Sequence, residues 1–351
     1  VPHWPRAAGG AGWSPTQLHI WRQACAAAGV PLDDDIGVEI IGPLLLRFAT
    51  PAQQRQFLPG IRTFASRWCI GFAEPHAGTD HTAMRTTAAP ALDTQGWCLN
   101  GVKTWVAHTQ QAHWICCYAL IADDGLENDR VRDDESVLAS GRVAAGEVGV
   151  FAVPLDAPGV ELAALTTFDG SQHMAEVTFT DTALPGDALL ARSDQGAAFA
   201  QLFFSTELST LSRSAVARAQ LQVLDETLGG LDPADDLHAK RQALAVELEA
   251  LEAMELRYLD ARQRNIEAPF PFSVLRIRSR EILLKLGALQ VESFGYYALP
   301  YPDEMLLHNE GAIGPAVAAA TVRQNLAQQV AALYEDSVEQ LRDSAWRELA
   351  S

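Results

Sequence analysis

The side chains able to do chemistry are sparse in this chain, and few of them cluster. His76 and His81 flank Asp80 and invite a metal reading, but no third His or Cys stands nearby, and a metal site needs a fuller ligand set. The five cysteines, Cys25, Cys69, Cys98, Cys116 and Cys117, include no CxxC pair. They are odd in number and lie mostly in apolar segments, so they read as reduced thiols with no structural zinc. Gly9-Gly10-Ala11-Gly12 follows no strand, so it is not a dinucleotide fingerprint.

The bulk composition narrows the function classes. The 351 residues carry 26 Lys+Arg against 44 Asp+Glu, a formal net charge of -18. That balance argues against coating nucleic acid and against docking on anionic lipid, both of which call for a basic surface. Hydrophobic residues are 48% and charged residues 20%. This is a globular composition with a large core, long enough for two or three structural units. No run reaches the ~20 apolar residues of a membrane span. The N-terminal VPHWPRAAGG has no apolar leader core, so a cytoplasmic protein is expected.

The elements that must position any site fall into three stretches. Residues 1–65 read as helices, with Ser14-Pro15 and Thr50-Pro51 as cap-plus-proline starts. Residues 66–188 read as strands: Trp68–Phe72, Trp97–Leu99, Trp114–Ile121, Val148–Val153, Val160–Leu165 and Ala175–Phe179. Asn100-Gly101, between two apolar runs, predicts a hairpin turn. Residues 123–146 read as a long, solvated connection, acidic in its first half. Residues 189–351 read as long helices over Gln195–Leu228, Asp235–Asn265, Ser273–Phe294 and Pro315–Glu348. The expected fold is therefore α+β and multidomain: a helical N-terminal part, a central antiparallel β-barrel or sandwich, and a C-terminal four-helix bundle.

That order, together with four motifs, resembles the acyl-CoA dehydrogenase superfamily. The motifs are Cys69-Ile-Gly-Phe-Ala-Glu-Pro-His-Ala-Gly-Thr-Asp80, Leu99-Asn-Gly-Val-Lys-Thr-Trp105, Val150-Phe-Ala-Val-Pro-Leu-Asp-Ala-Pro-Gly-Val160 and Val177-Thr-Phe-Thr-Asp-Thr-Ala-Leu-Pro185. Asn309–Pro315 and Leu333–Arg342 resemble the end of the family's bundle more loosely. Trp4-Pro5 and Gly9–Gly12 look like a motif that two or so helices usually precede.

The resemblance implies FAD-dependent α,β-dehydrogenation of an acyl-CoA thioester. A carboxylate would take the α-proton and flavin N5 the β-hydride. A base of this kind needs a dry pocket, because desolvation raises a carboxylate's pKa toward working pH. Two glutamates match family base positions: Glu207 on the first bundle helix and Glu335 near the chain end. By composition alone either is a solvated or ion-paired helix Glu. The resemblance puts Phe72, Ala73, Thr79, Trp105 and Ala107 at the cofactor, and Glu74, Thr79, Tyr334 and Glu335 at the substrate. It gives the loop around His76 and His81 no metal.

Departures from the family concentrate on flavin contacts. Ala73 and Ala107 stand where relatives carry hydroxyl residues, and Leu208 replaces an arginine. The acidic stretch Asp225–Asp236 stands where an Arg-x-x-Phe-Gly-like segment holds pyrophosphate. Two functions follow. One is an acyl-CoA dehydrogenase, alone or as a subunit of a heteromer like those acting on steroid side chains. The other is a flavin-free, degenerate partner or scaffolding subunit of the same fold. Expected partners are acyl-CoA, an electron-transfer flavoprotein, and a second copy or a second acyl-CoA dehydrogenase-like chain in a dimer or tetramer.

Overall fold

The computed structural model describes residues 1–30, 35–77, 83–91, 95–122, 147–192, 213–230, 235–299, 318–334 and most of 341–349. Contacts divide the chain into two compact units. Apart from Val1, one comprises Asp34–Thr166 and Ser171–Ser209, the other Pro2–Asp33, Thr167–Gly170 and Thr210–Ser351. The N-terminal stretch 1–65 is thus shared between them.

The first unit is built around a sheet of eight strands: β1 (Trp68–Gly71), β2 (Thr87–Pro90), β3 (Trp97–Ala107), β4 (Trp114–Ile121), β5 (Glu147–Pro154), β6 (Val160–Leu165), β7 (Met174–Leu184) and β8 (Leu189–Arg192). Their order is β6-β7-β3-β2-β4-β5-β8, with β1 pairing β4. Most neighbours are antiparallel, while β1 and β2 each run parallel to β4. Alternate residues from β3, β4, β5 and β7, including Leu99, Val106, Ile115, Cys117, Phe151, Val153, Val177 and Phe179, close one apolar core. Strands β2 and β8 are absent from the sequence-based reading. Both are only four residues long and lack the β-branched runs that mark a strand.

The predicted Asn100-Gly101 hairpin is not formed. β3 runs straight through it and bulges there instead, with a register shift against β7 between Leu99 and Gly101. The side chains explain the outcome. Asn100 Nδ2 donates to Asp181 Oδ1 at 3.1 Å, and the Asp181 N–H donates to Asn100 Oδ1 at 2.8 Å. Gly101, at φ 143°, lies so close to Thr86 that a Cβ would sit 2.6 Å from its Cα.

Two short helices of the same unit brace the sheet. A π-helical turn (Gly37–Ile41) leads without a break into α2 (Gly42–Phe48), and α3 (Pro51–Arg62) follows. Thr50 and Gln53 form a capping box at α3. The buried Gln53 also donates from Nε2 to the Asp187 and Leu189 carbonyls, each at 2.8 Å, and so ties α3 to β8. Phe57 of α3 meets Trp68 and Trp114 edge-on at 5.2 Å, and those two indoles stack across the parallel β1–β4 pair.

In the second unit α1 (Pro15–Ala27) starts on the Ser14–Gln17 capping box, as the Ser-Pro start predicts. It packs against α4 (Arg213–Gly230) and α5 (Asp235–Gln263), which with α6 (Phe272–Phe294) and α7 (Ala318–Tyr334) form the bundle. Leu221, Leu224, Leu248, Leu251, Ile282 and Leu286 fill its interior. α6 is central, touching α4, α5 and α7. Glu247 of α5 bridges Arg278 and Lys285 of α6.

Candidate functional site

The described part of the site lies where β1 ends and β3 bulges, within the first unit. β1 stops at Gly71, and Phe72, Ala73 and Glu74 continue as irregular chain into a turn over Pro75–Ala77. Each of the three is tied to β3 or its surroundings. Phe72 packs edge-on against Tyr118 at 4.7 Å. The Ala73 carbonyl accepts from the Thr104 N–H at 2.9 Å. Glu74 is buried, and its Oε1 accepts from Lys103 Nζ at 2.7 Å.

Lys103 is 0% exposed, an extreme position for an ammonium group. Its Nζ also donates to the Phe72 carbonyl at 3.3 Å. Gly71 makes room for the side chain, because a Cβ there would lie 3.1 Å from Lys103 Cγ and 2.7 Å from Ile115 Cδ1. The rest of the Glu74 carboxylate is satisfied by backbone: the Arg85 N–H donates to Oε2 at 2.6 Å and the Thr86 N–H to Oε1 at 3.0 Å. Burial pushes this carboxyl's pKa up. The charge of Lys103 and the hydrogen bonds outweigh burial and hold it below the usual carboxylate range. Glu74, expected at the substrate, therefore has its carboxylate engaged inside the protein, where it joins the 72–77 turn, β3 and the lead into β2.

Beyond Lys103 the strand bulges a second time, with a register shift between Lys103 and Val106. Lys103 and Val106 are both fully buried, so the bulge takes up Thr104 and Trp105. Trp105 sits at φ 55° and is 51% exposed. A tryptophan left open on a left-handed bulge, beside a turn pinned by a buried ion pair, is a flat apolar platform. Ala107, paired with Met174, is half-buried and brings no hydrogen-bonding side chain. The arrangement can seat a planar ring on carbon surface and on backbone groups.

Of the sequence-expected residues, the fold thus gathers Phe72, Ala73, Glu74, Trp105 and Ala107. Tyr334 is the last residue of α7, in the other unit. Thr79, His81, Glu207 and Glu335 lie outside the described residues. His76 is exposed, and among the described residues no cluster of three or more His, Cys, Asp or Glu could hold a metal. The site residue that sequence reasoning missed is Lys103. Its signal was present: it lies inside the Leu99–Trp105 motif, in a strand whose neighbours are core residues.

Comparison with known proteins bears on the same stretch of chain. The family described as the acyl-CoA dehydrogenase middle domain matches residues 69–182, a span that holds the whole turn and bulge. Acyl-CoA dehydrogenase IpdE1 of Mycobacterium tuberculosis (strain ATCC 25618 / H37Rv) is 30% identical over 304 residues, covering 86% of this chain and 74% of that protein. Among solved structures, the "Tcur3481-Tcur3483 steroid ACAD" aligns with a TM-score of 0.78 at 17% identity, covering 98% of this chain and 83% of that one. The ChsE4-ChsE5 complex from Mycobacterium tuberculosis aligns with a TM-score of 0.74 at 20% identity, covering 97% and 83%. The structural likenesses carry the fold, and the extent of identity to IpdE1 carries kinship: the chain belongs to the acyl-CoA dehydrogenase family.

Proposed function

We propose that this chain is an acyl-CoA dehydrogenase subunit that removes hydrogens from Cα and Cβ of an acyl-CoA thioester. The carrying observation is that the turn and bulge which present Trp105 are held by a fully buried ion pair, within a span that matches the family. The described residues fit a flavin in a specific way. Trp105 offers a face to a ring system, and residues 73 and 107 leave polar contacts to the backbone. Phe72, Ala73, Thr79, Trp105 and Ala107 are the residues that would hold FAD, which when bound supplies the acceptor for the β-hydride. A carboxylate of this chain takes the α-proton. Glu207 and Glu335 are the two candidates, and Thr79 and Tyr334 are the residues that the family resemblance assigns to the substrate.

The partner in the cell is a second acyl-CoA dehydrogenase-like chain, and electrons leave to an electron-transfer flavoprotein. Two structural neighbours that are themselves named as pairs, Tcur3481-Tcur3483 and ChsE4-ChsE5, support the first part of this reading. A flavin-free role as the degenerate half of such a pair is the second reading. It is favoured by Ala73, Ala107 and the end of α4, where Asp225 and Glu226 stand exposed and Asp225 is held by Arg241 at 2.5 Å.

The test begins with the visible spectrum of the purified, folded chain, alone and with added FAD. A flavin band of about one per chain, bleached by an acyl-CoA under anaerobic conditions, supports the first reading. Glu207→Gln and Glu335→Gln then identify the base by loss of bleaching, and full activity in both variants refutes a catalytic role for this chain. A colourless chain that stays empty with FAD supports the second reading.

A further inference from the structure

From the geometry around Gly71 we infer that Lys103 and Glu74 are positioning residues, a buried bracket that sets the 72–77 turn against Trp105 and so fixes the platform for the flavin ring. The inference rests on the reading of Trp105 as a flavin-facing residue. Its geometric half, that the bracket places Trp105, stands without it.

Four bonds converge on the bracket from three separate parts of the chain. Lys103 Nζ reaches Glu74 Oε1 at 2.7 Å and the Phe72 carbonyl at 3.3 Å, while the Arg85 and Thr86 N–H groups reach the same carboxylate at 2.6 and 3.0 Å. A fifth bond, from the Thr104 N–H to the Ala73 carbonyl, lies between them. Trp105 is the next residue after Thr104, at φ 55°. A non-glycine residue in that region persists only where its surroundings over-determine it. The bracket supplies that constraint on one side of the bulge, and the buried Val106 supplies it on the other. A pair needed only for stability would be served as well by apolar side chains of similar volume. This one instead spends its donors and acceptors on the backbone of the turn that meets the bulge. With alanine at 73 and 107, this chain has no side-chain hydroxyl at either place to correct a misplaced ring, so backbone position carries the recognition.

The test compares wild type with the double variant Lys103→Met/Glu74→Gln, in which no unpaired charge is left buried. Lys103→Leu/Glu74→Gln is the substitute if the first pair fails to fold. Both proteins are grown with 5-fluorotryptophan and followed by 19F NMR, with the Trp105 line assigned from its loss in Trp105→Phe. FAD affinity is measured in parallel by quenching of flavin fluorescence. The expected result is a shifted or broadened Trp105 line, unchanged lines for Trp4, Trp13 and Trp21, and a weakening of FAD binding by tenfold or more in a protein of near wild-type circular dichroism. An unmoved Trp105 line overturns the inference. So does a moved line with unchanged FAD affinity, since the platform then does not depend on the bracket. If wild type binds no FAD, the functional reading fails by itself, and the Trp105 line still decides whether the bracket positions it.

Discussion

Replacing Lys103 with methionine perturbs the site at its most constrained atom. Methionine matches the length of the lysine stem and fits the space beside Gly71, so packing is nearly kept while the ammonium is lost. Glu74 is then a carboxylate at 6% exposure with its Lys103 partner gone. Breaking one side of a buried pair costs about 3–5 kcal/mol. The Arg85 and Thr86 N–H groups still hold both oxygens, so the cost falls at the lower end, about 3 kcal/mol, with the lost bond to the Phe72 carbonyl included. The assay is urea unfolding followed by near-ultraviolet circular dichroism, in which Trp68, Trp97 and Trp114 report the sheet unit. Adding Glu74→Gln should return most of the loss, because the uncompensated charge and not the missing contact dominates it. A single-variant loss under about 1 kcal/mol, or a double variant no more stable than Lys103→Met, refutes this account of the pair.

Three further outcomes follow from the same unit. Glu74 is held at a lowered pKa in the folded protein, so its contribution is fully present above the unfolded value near ~4.3 and is lost as pH falls through the folded value. Wild type should therefore lose stability more steeply than Glu74→Gln on acidification below about pH 5, read as urea midpoints between pH 6 and 3; parallel curves would contradict it. Burial raises the thiol pKa values of Cys69, Cys116 and Cys117, the last to about 12. In native protein at pH 8 a thiol reagent should modify only Cys25 and Cys98, the partly exposed pair, and all five should react in denaturant; fast native labelling of Cys117 would show that the core opens. Gly101→Ala forces a Cβ to within 2.6 Å of the Thr86 Cα at φ 143°. It should cost about 2 kcal/mol or more in the same unfolding assay, whereas an unchanged midpoint would mean the bulge shifts freely.

Much of this protein is legible in its order of residues. Hydrophobic period and punctuation are local properties, so Ser14-Pro15, Thr50-Pro51 and the long apolar-periodic runs read directly as helices, and the β-branched and aromatic runs as strands. The motifs from Cys69 to Pro185 identified the family before any geometry, because a loop and a strand that meet in space leave recognisable types at fixed spacing. Tertiary structure alone decided what those residues do to one another. Asn-Gly has the local chemistry of a tight turn, yet Asp181, 81 residues away, captures Asn100 and makes it a bulge. Trp105 is placed at the cofactor by resemblance alone, and only the second bulge shows its side chain turned outward. Glu74 reads as a residue facing ligand until Lys103, 29 residues on, buries itself beneath Gly71 to meet it. In each case a partner distant in sequence outcompetes the local preference, because a buried polar group must find its hydrogen bond wherever the fold supplies one.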